Sequence, residues 1–193
     1  RLPVQRAARA SIGTILTSMQ LDMAVRRRLL IPWRKGEPER WKTAEVLLKV
    51  DKGGMVFQPP VGAFENVAEL DFSAMYPTIM VQHNISAETL FCSCCDNHAV
   101  PEAGYTICER YEGLMATMLR PLIARRAYYK TRLKEGGIAP EAAALYDQRQ
   151  RAHKWIGVTC FGYLGYRNAR FGRIESHEAV TAFGREKLLQ AKE

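Results

Sequence analysis

The sequence lacks the features that would mark a membrane or secreted protein. No uninterrupted apolar run approaches the ~20 residues needed to span a bilayer. The N-terminus is rich in arginine and has none of the apolar stretch of a signal peptide. We therefore expect a cytoplasmic protein that does not interact with membranes. The chain begins with Arg1 rather than Met, which predicts an internal piece of a longer protein.

Acidic residues are also in short supply. Twenty Asp and Glu stand against 28 Lys and Arg, so the formal net charge is +8. This excess favours a polyanionic partner, with nucleic acid ahead of an anionic membrane surface. A basic surface that is merely solvated is the plain alternative. The apolar fraction of 47% is ordinary for a globular protein, and 193 residues can bury one good core.

Apolar periodicity and turn residues divide most of the chain into helices. Residues 114–134 have helical character and end at a Gly-Gly pair, and Pro140 suits the first turn of a second helix that reaches about residue 160. This pattern predicts an antiparallel αα-hairpin, in which Pro121 kinks or restarts the first helix. The other expected elements are a helix over 18–30, a short strand over 45–49 and a helix over 175–192.

Residues 71–90, which begin Asp-Phe-Ser-Ala-Met-Tyr-Pro-Thr-Ile-Met, form the most informative stretch of the chain. The carboxylate of Asp71 ends a short apolar strand pattern over 67–70. The pair Tyr76-Pro77 breaks this strand and leads into a new element. An acid at a strand end, beside a turn, can hold a divalent metal whose other coordination positions are open. A surface aspartate near a buried tyrosine is the plain alternative.

This stretch resembles motif A of the family B DNA polymerases, usually written D-x-x-S-L-Y-P-S-I. The resemblance implies that Asp71 binds the two catalytic magnesium ions and that the carbonyl of Phe72 is a further ligand. It also implies that Tyr76 stacks under the incoming sugar and excludes a 2′-hydroxyl. Two positions depart from the family: Met75 replaces a leucine, and Ala87 replaces the proline of N-x-S-P.

Basic residues on the predicted hairpin follow a second family pattern. Arg126 and Lys130 are four residues apart and share a helix face, where the family carries R-x-x-x-K. Lys154 begins Lys-Trp-Ile-Gly-Val-Thr-Cys-Phe-Gly-Tyr, which resembles motif B, K-x-x-x-N-S-x-Y-G. The resemblance implies that the three cations grip a triphosphate, the arginine as a fork and the lysines as point charges. Two solvated basic helices would show the same spacing.

Motif B departs from the family at three positions. Val158 stands in place of asparagine, Thr159 in place of serine and Phe161 in place of tyrosine. Valine cannot hydrogen-bond a triphosphate oxygen, so nucleotide affinity falls or the contact moves to another residue. Phe161 can still stack near the nascent base pair and is counted among the predicted nucleotide-binding residues. These departures resemble a divergent bacterial and archaeal branch in which motif B reads C-F-G-Y.

Aromatic and cationic residues alternate directly after motif B, a composition that suits binding along a nucleic-acid backbone. A solvated basic rim is the alternative. The family also has a Y-x-G-G segment near the primer–template. A Gly-Gly pair matches it here, with Asp51 in place of the tyrosine. A simple turn is the plainer interpretation of these two glycines. The predicted nucleic-acid-binding residues are Gly53, Gly54, Tyr163, Tyr166, Arg167, Arg170 and Arg173.

Four of the five cysteines lie within a 17-residue loop: Cys92, Cys94, Cys95 and Cys108. An odd total without a secretion signal indicates a reducing compartment. Thiols are the favoured state, ahead of a disulfide and of a zinc site to which His98 could contribute. Some family members carry a cysteine pair 14 residues apart in this loop, as Cys94 and Cys108 are.

A second catalytic acid is absent from the sequence. Two-metal phosphoryl transfer needs carboxylates from two places, and the family takes the second from motif C, typically D-T-D. No such sequence is present, and the aspartates other than Asp71 lie in no comparable context. We therefore expect the chain to be inactive alone and to belong with the remainder of a polymerase chain, or with a second subunit that carries motif C.

The resemblance as a whole implies an α/β (α+β) fold, with part of a polymerase palm sheet and an antiparallel two-helix fingers hairpin. The implied function is DNA-directed DNA synthesis in a nucleoid-associated enzyme, using two Mg²⁺ ions, primer–template DNA and deoxynucleoside triphosphates. The alternatives are a catalytically dead DNA-binding or scaffolding subunit and a zinc-stabilised nucleic-acid module. The expected regions are a connecting segment (1–48), palm with motif A (49–91), cysteine loop and fingers with motif B (92–165) and a second palm part (166–193).

Overall fold

The computed structural model describes residues 3–34, 39–96 and 98–192. The part of the chain that it describes is mostly helical, with one small antiparallel sheet, and none of its helices is long and apolar enough to cross a membrane. The elements are α1 (Val4–Ala7), α2 (Ile12–Arg26), α3 (Ala44–Val50), α4 (Met75–Gln82), β1 (His98–Ala99), β2 (Thr106–Ile107), α5 (Leu114–Glu135), α6 (Pro140–Leu164) and α7 (Ile174–Lys192).

The predicted αα-hairpin is confirmed as α5 and α6. Helix α5 ends where Gly136 adopts a φ of +70°, and α6 begins with a proline in its first turn. Pro121 lies inside α5, which continues through it as one helix. The buried residues of α5 stop at Leu122 and those of α6 begin at Gly157. The far half of the hairpin therefore projects away from the core.

Helix α7, also predicted, is the most deeply buried element and carries charged residues into the core. Glu178 accepts hydrogen bonds from Lys42 Nζ (2.8 Å) and Tyr105 Oη (2.6 Å). Buried Arg185 donates to Glu102 Oε2 (2.8 Å) and to the carbonyl of Gly53 (2.8 Å). Because a buried charge is costly unless it is paired, these contacts tie three distant segments to α7.

The start of α5 is fixed by the segment that follows α4. Asn84 Oδ1 accepts from the backbone N–H of Gly113 (2.7 Å), and its Nδ2 donates to the carbonyl of Cys108 (2.9 Å). Ser86 Oγ accepts from the backbone N–H of Met115 (3.3 Å). These side chains satisfy amides that the first turn of a helix leaves without partners.

Two predicted strands are wrong. Residues 45–49 lie in α3, because Thr43 caps its N-terminus by accepting from Val46 N (3.3 Å) and a Glu45–Lys49 pair (2.6 Å) bridges one turn. Residues 67–70 belong to a stretch, 51–74, that has neither helix nor strand.

The predicted palm sheet carrying Asp71 is likewise not observed in the described residues. The sheet found there joins β1 to β2 inside the cysteine loop, with His98 opposite Ile107. A strand needs a neighbour for its backbone groups, and none of the described strands lies beside residues 67–70. The side chains of Val67 and Leu70 are accordingly exposed, at 75% and 87%. A mostly helical chain with a small sheet still agrees broadly with the α+β class.

Candidate functional site

A cleft of about 520 Å³ lies between the start of α4 and the inner faces of α5 and α6. It collects residues from three parts of the sequence that are far apart along the chain. Five of the predicted site residues line this one cleft: Asp71, Phe72, Arg126, Lys130 and Lys154.

Cations form the wall of the cleft that the hairpin provides. Arg126 and Lys130 come from α5 and are partly buried, and Lys154 comes from α6 and is exposed. The Nε of Arg126 is buried and has no hydrogen-bond partner among the described residues. A buried donor without a partner costs free energy, so this guanidinium is available for an anionic ligand.

Two further residues of α6 line the same wall. His153, which no sequence motif indicated, donates from Nδ1 to the carbonyl of Arg149 (2.6 Å), so its Nε2 is left for other contacts. Val158, the residue at the asparagine position of motif B, also lines the cleft and is 47% exposed. The four-residue spacing could have indicated these residues, because His153 shares a face with Gly157 and Lys154 shares one with Val158.

Oxygen donors form the opposite wall. Asp71 and Phe72 are exposed and lie in the irregular segment just before α4. Asp71 is the one acid among the described residues that lines the cleft. The N-cap of α4 is Ala74, whose φ of +53° and ψ of +46° are left-handed values that residues with a side chain seldom adopt. Such strain is common where a backbone is held for function.

An aromatic stack stands beside the cleft. The rings of Tyr76 and Phe161 stack with centroids 4.2 Å apart, and Phe161 stacks in turn on His177 at 4.1 Å. Tyr76 also lies near the Gly-Gly turn, because a Cβ added to Gly54 would come within 3.8 Å of the Tyr76 hydroxyl. The structure thus places Tyr76 and Phe161 together, with His177 as a support that the motif gave no reason to expect.

The predicted nucleic-acid-binding residues after motif B fall into two groups. Tyr166 and Arg167 are exposed. The others have partners within the chain: the hydroxyl of Tyr163 hydrogen-bonds Thr17, Arg170 donates to the carbonyls of Pro32 and Trp33, and Arg173 donates to Glu175 and to the carbonyl of Ala87. The Gly53 carbonyl is held by Arg185, and Gly53 has a φ of +63°.

The cysteine loop forms a compact cluster away from the cleft. The sulfur atoms of Cys92, Cys94, Cys95 and Cys108 all lie within 4.8 Å of one another. His98 is outside this group and stacks on the ring of Phe183 at 5.6 Å.

Hydrogen bonds within the cluster separate the pKa values of two of its thiols. The Cys94 thiol donates to the sulfur of Cys92 (3.5 Å), and this bond, followed by its bond with Cys108, raises the pKa of Cys94 to about 12. Burial acts to raise the pKa of Cys108, but the backbone of Tyr111 and Arg110, together with hydrogen bonds from the Cys92 and Cys94 thiols, outweighs it and brings that pKa down to about 7.

Comparison with known proteins gives the same family from sequence and from structure. The sequence profile of DNA polymerase family B matches residues 3–193. "DNA polymerase 2" of Saccharolobus solfataricus is 38% identical over 191 residues, which are 99% of this chain and 28% of that protein. "DNA polymerase 1" of Pyrococcus abyssi is 34% identical over 185 residues, which are 95% of this chain and 24% of that protein.

A solved structure agrees. The family B DNA polymerase from the hyperthermophilic archaeon Pyrobaculum calidifontis aligns with a TM-score of 0.72 and 31% sequence identity, over 99% of this chain and 25% of that one. The chain therefore spans about a quarter of the length of the relatives it matches. Because the family profile covers residues 3–193, the chain belongs to DNA polymerase family B.

Proposed function

We propose that this chain is the nucleotide-binding part of a DNA-directed DNA polymerase, which adds template-paired deoxynucleotides to a primer. The observation that carries this proposal is the cleft in which Asp71 faces Arg126, Lys130 and Lys154. A triphosphate carries negative charge along its length and binds metal through its oxygens. The cations on one wall can therefore bind its negative charge, and the oxygen donors on the other can bind the metal ion that it carries.

Arg126, Lys130 and Lys154 hold the triphosphate in this proposal. The unpartnered Nε of Arg126 and its planar guanidinium suit bidentate contact with phosphate, while the lysines act as mobile point charges. Val158 cannot supply the polar contact of the family's asparagine. We assign that contact to His153 and Lys154, which line the same wall of the cleft.

Asp71 and the carbonyl of Phe72 are the proposed ligands for Mg²⁺. Both residues line the cleft and can offer an oxygen, and Mg²⁺ is usually held by one or two carboxylates together with substrate phosphates. The residues present therefore suit the ion. When bound, Mg²⁺ would activate the primer 3′-hydroxyl and neutralise charge on the phosphates. Asp71 contributes one carboxylate to this site, and the sequence contains no motif C, from which the family takes the second.

Tyr76 is the proposed gate against ribonucleotides. Its ring is held between the Gly-Gly turn and Phe161, which itself rests on His177. Because the Tyr76 ring is packed on the side away from the incoming sugar, it cannot move aside. A 2′-hydroxyl on that sugar would therefore meet a rigid surface. Phe161 then acts through Tyr76 rather than by direct contact with the base pair.

DNA contacts are proposed at the exposed residues Tyr166 and Arg167, and at the turn formed by Gly53 and Gly54. Tyr163, Arg170 and Arg173 position this surface through their bonds within the chain. The net charge of +8 supports a sequence-independent attraction to phosphate that weakens as salt is added. In this proposal α5 and α6 form the fingers, and residues 49–91 and 166–193 belong to the palm.

The proposal is tested by nucleotide incorporation in the polymerase that contains this chain. Arg126→Ala and Lys154→Ala should each raise the apparent KM for the nucleotide about ten- to a hundredfold, the effect of losing a charge-assisted contact of roughly 1.5–3 kcal/mol. Arg125→Ala is the matched control, because Arg125 is exposed on the same helix outside the cleft. Equal effects of the Arg125 and Arg126 changes would refute the assignment.

The Val158→Asn variant is a sharper test of the motif B match. If Val158 faces the triphosphate, asparagine should restore a hydrogen bond and tighten nucleotide binding by about fivefold, the value of roughly 1 kcal/mol. Unchanged affinity in a variant as stable as the parent would show that position 158 is not in the site.

A DNA-binding scaffold without catalysis is the second candidate, favoured by Val158 in the cleft and by the single acid there. The purified 193-residue chain should bind DNA in a salt-sensitive manner and extend a primer little or not at all, because one metal-binding acid is missing. Robust primer extension by the chain alone would refute the expectation that the chain binds DNA but cannot catalyse synthesis by itself. Absence of synthesis from the polymerase that contains the chain would favour the scaffold.

A further inference from the structure

The four cysteines of the loop after α4 stand apart from the nucleotide cleft and need an explanation of their own. Their Sγ–Sγ distances are 3.5 Å for Cys92–Cys95, Cys92–Cys94 and Cys94–Cys108, and 3.7 Å for Cys95–Cys108. These distances are well beyond the ~2.05 Å of a disulfide bond. Zinc bound by four thiolates at about 2.3 Å would space the sulfurs by about 3.8 Å. The cluster is therefore close to the size of a tetrahedral zinc site.

We propose that Cys92, Cys94, Cys95 and Cys108 bind one structural zinc ion. All four positions are filled by protein sulfur, so no position is open to substrate and the site is structural rather than catalytic. Four thiolates around Zn²⁺ carry a net charge of about −2. Arg110 lies beside them, with its Nη1 donating to the carbonyl of Cys94 (3.4 Å).

The backbone next to the cluster is anchored by hydrogen bonds on both sides of the loop. The N–H of Cys108 donates to the carbonyl of Thr89 (2.8 Å), and the N–H of Phe91, which precedes Cys92, donates to the carbonyl of Thr106 (2.8 Å). Contacts of this kind fix the positions of ligands, as outer contacts do in metal sites generally.

The site would hold the base of the hairpin. Cys108 directly follows β2, is 1% exposed, and its carbonyl accepts from Asn84, the residue that also binds the N–H of Gly113 at the start of α5. The other three ligands come from the chain just after α4. A zinc ion would therefore clamp the α4–α5 connection and with it the root of α5. This role does not depend on the proposed polymerase activity.

Metal analysis of the purified chain tests the proposal directly. We expect about one zinc per chain, together with all five cysteines titrating as thiols after denaturation in the presence of a chelator. Zinc-free protein with three titratable thiols would indicate a disulfide, such as Cys94–Cys108, and would overturn the proposal. Zinc-free protein with five thiols, or iron in place of zinc, would overturn it as well.

Two variants and a matched control keep the test decisive. Cys94→Ala removes the exposed ligand and should weaken zinc binding by more than about a hundredfold, the upper end of the loss when only an outer contact of a metal is disturbed. Cys94→His offers another zinc ligand and should recover much of that affinity. Cys160→Ala, at the buried cysteine outside the cluster, should keep one zinc.

The contrast between these variants excludes a general folding defect. Circular dichroism should show the same helix content in Cys94→His and Cys160→Ala, and competition with a colorimetric zinc chelator gives the affinities. In the parent chain, removal of zinc should lower the thermal unfolding midpoint, and re-addition of zinc should restore it. Equal zinc affinity in Cys94→Ala and the parent, or an unfolding midpoint indifferent to zinc, would refute the site.

Discussion

The two walls of the cleft are built in opposite ways. The hairpin wall consists of two long helices, α5 and α6, whose backbone hydrogen bonds are made within each helix. The opposite wall is the end of the stretch 51–74, which has no helix or strand. Arg126, Lys130 and Lys154 therefore stand on rigid supports, whereas Asp71 is placed by a chain that has few local constraints.

The difference shows where the geometry of the cleft comes from. The irregular wall is held by contacts with distant residues, such as the bond from Arg185 to the Gly53 carbonyl. It is also held where α4 meets α6, since a Cβ on Gly157 would lie 3.1 Å from Pro77 Cγ. The cations are held in place by their own helices, whereas the position of Asp71 depends on contacts with distant parts of the chain.

The largest expected effect is at the acid itself. In the polymerase that contains this chain, Asp71→Ala should lower the incorporation rate by roughly a thousandfold or more, because a metal ligand contributes several kcal/mol to the transition state. DNA binding should stay nearly intact, because the basic surface is unchanged. Single-turnover incorporation and DNA titration measure the two quantities. Asp51→Ala, on the same irregular stretch but outside the cleft, should be nearly silent; if it matches Asp71→Ala, the assignment fails.

The junction between the two walls is tested at Tyr76. Tyr76→Ala removes the ring that stacks on Phe161 and should reduce discrimination against ribonucleotides about ten- to two-hundredfold, the range for the loss of one close contact. Tyr76→Phe keeps the stacked ring and should keep the discrimination. Incorporation kinetics with both nucleotide types decide the matter, and unchanged discrimination in Tyr76→Ala would exclude a gate at this position.

The contact between α4 and α6 is tested by two glycines of the same helix. Gly157→Ala places a methyl group against Pro77 and should destabilise the chain by about 1–3 kcal/mol, as overpacking does. Gly162→Ala meets nothing within 4 Å and should stabilise α6 by about 0.5–1 kcal/mol. Urea unfolding of both variants gives the two values. Stabilisation by both changes would show that α4 does not approach α6 closely.

The smallest expected effect is a pH dependence at the other end of α4. Burial, with the nearby charges of His98 and Lys187, lowers the pKa of His83, whose ring stacks on Phe183 at 3.7 Å. The unfolded chain therefore binds a proton more readily than the folded one. The stabilisation is fully present above the ordinary pKa of 6.5 and is lost as pH falls through the lower folded pKa.

Urea midpoints measured from about pH 7.5 down to about pH 5 should accordingly decrease, and His83→Gln should flatten part of that slope. The change leaves the cations of the cleft untouched, so it reports on the packing of α4 alone. Identical slopes in the parent and in His83→Gln would contradict this account.

Sequence patterns predicted the helical wall well. The Gly-Gly pair after Lys134 and the proline at 140 marked the turn of the hairpin, and the four-residue spacing of Arg126 and Lys130 put both cations on one face. His153 lay within reach of the same argument, because it shares its face with Gly157. The strand over 67–70 was mispredicted, since a short apolar stretch forms a strand only if another strand lies alongside.

The sequence by itself determined the two hairpin helices, helix α7, the motifs and the charge, because a helix closes its hydrogen bonds between residues four apart and a motif is a matter of order along the chain. Only the tertiary structure decided that Asp71 faces the cations, that Phe161 rests on His177, and that four sulfurs meet in one cluster. It also decided that Arg170 and Arg173 bond within the chain, whereas Arg167 is exposed. These relations join residues far apart in the sequence, and their distances follow from how the elements pack, which no local pattern records.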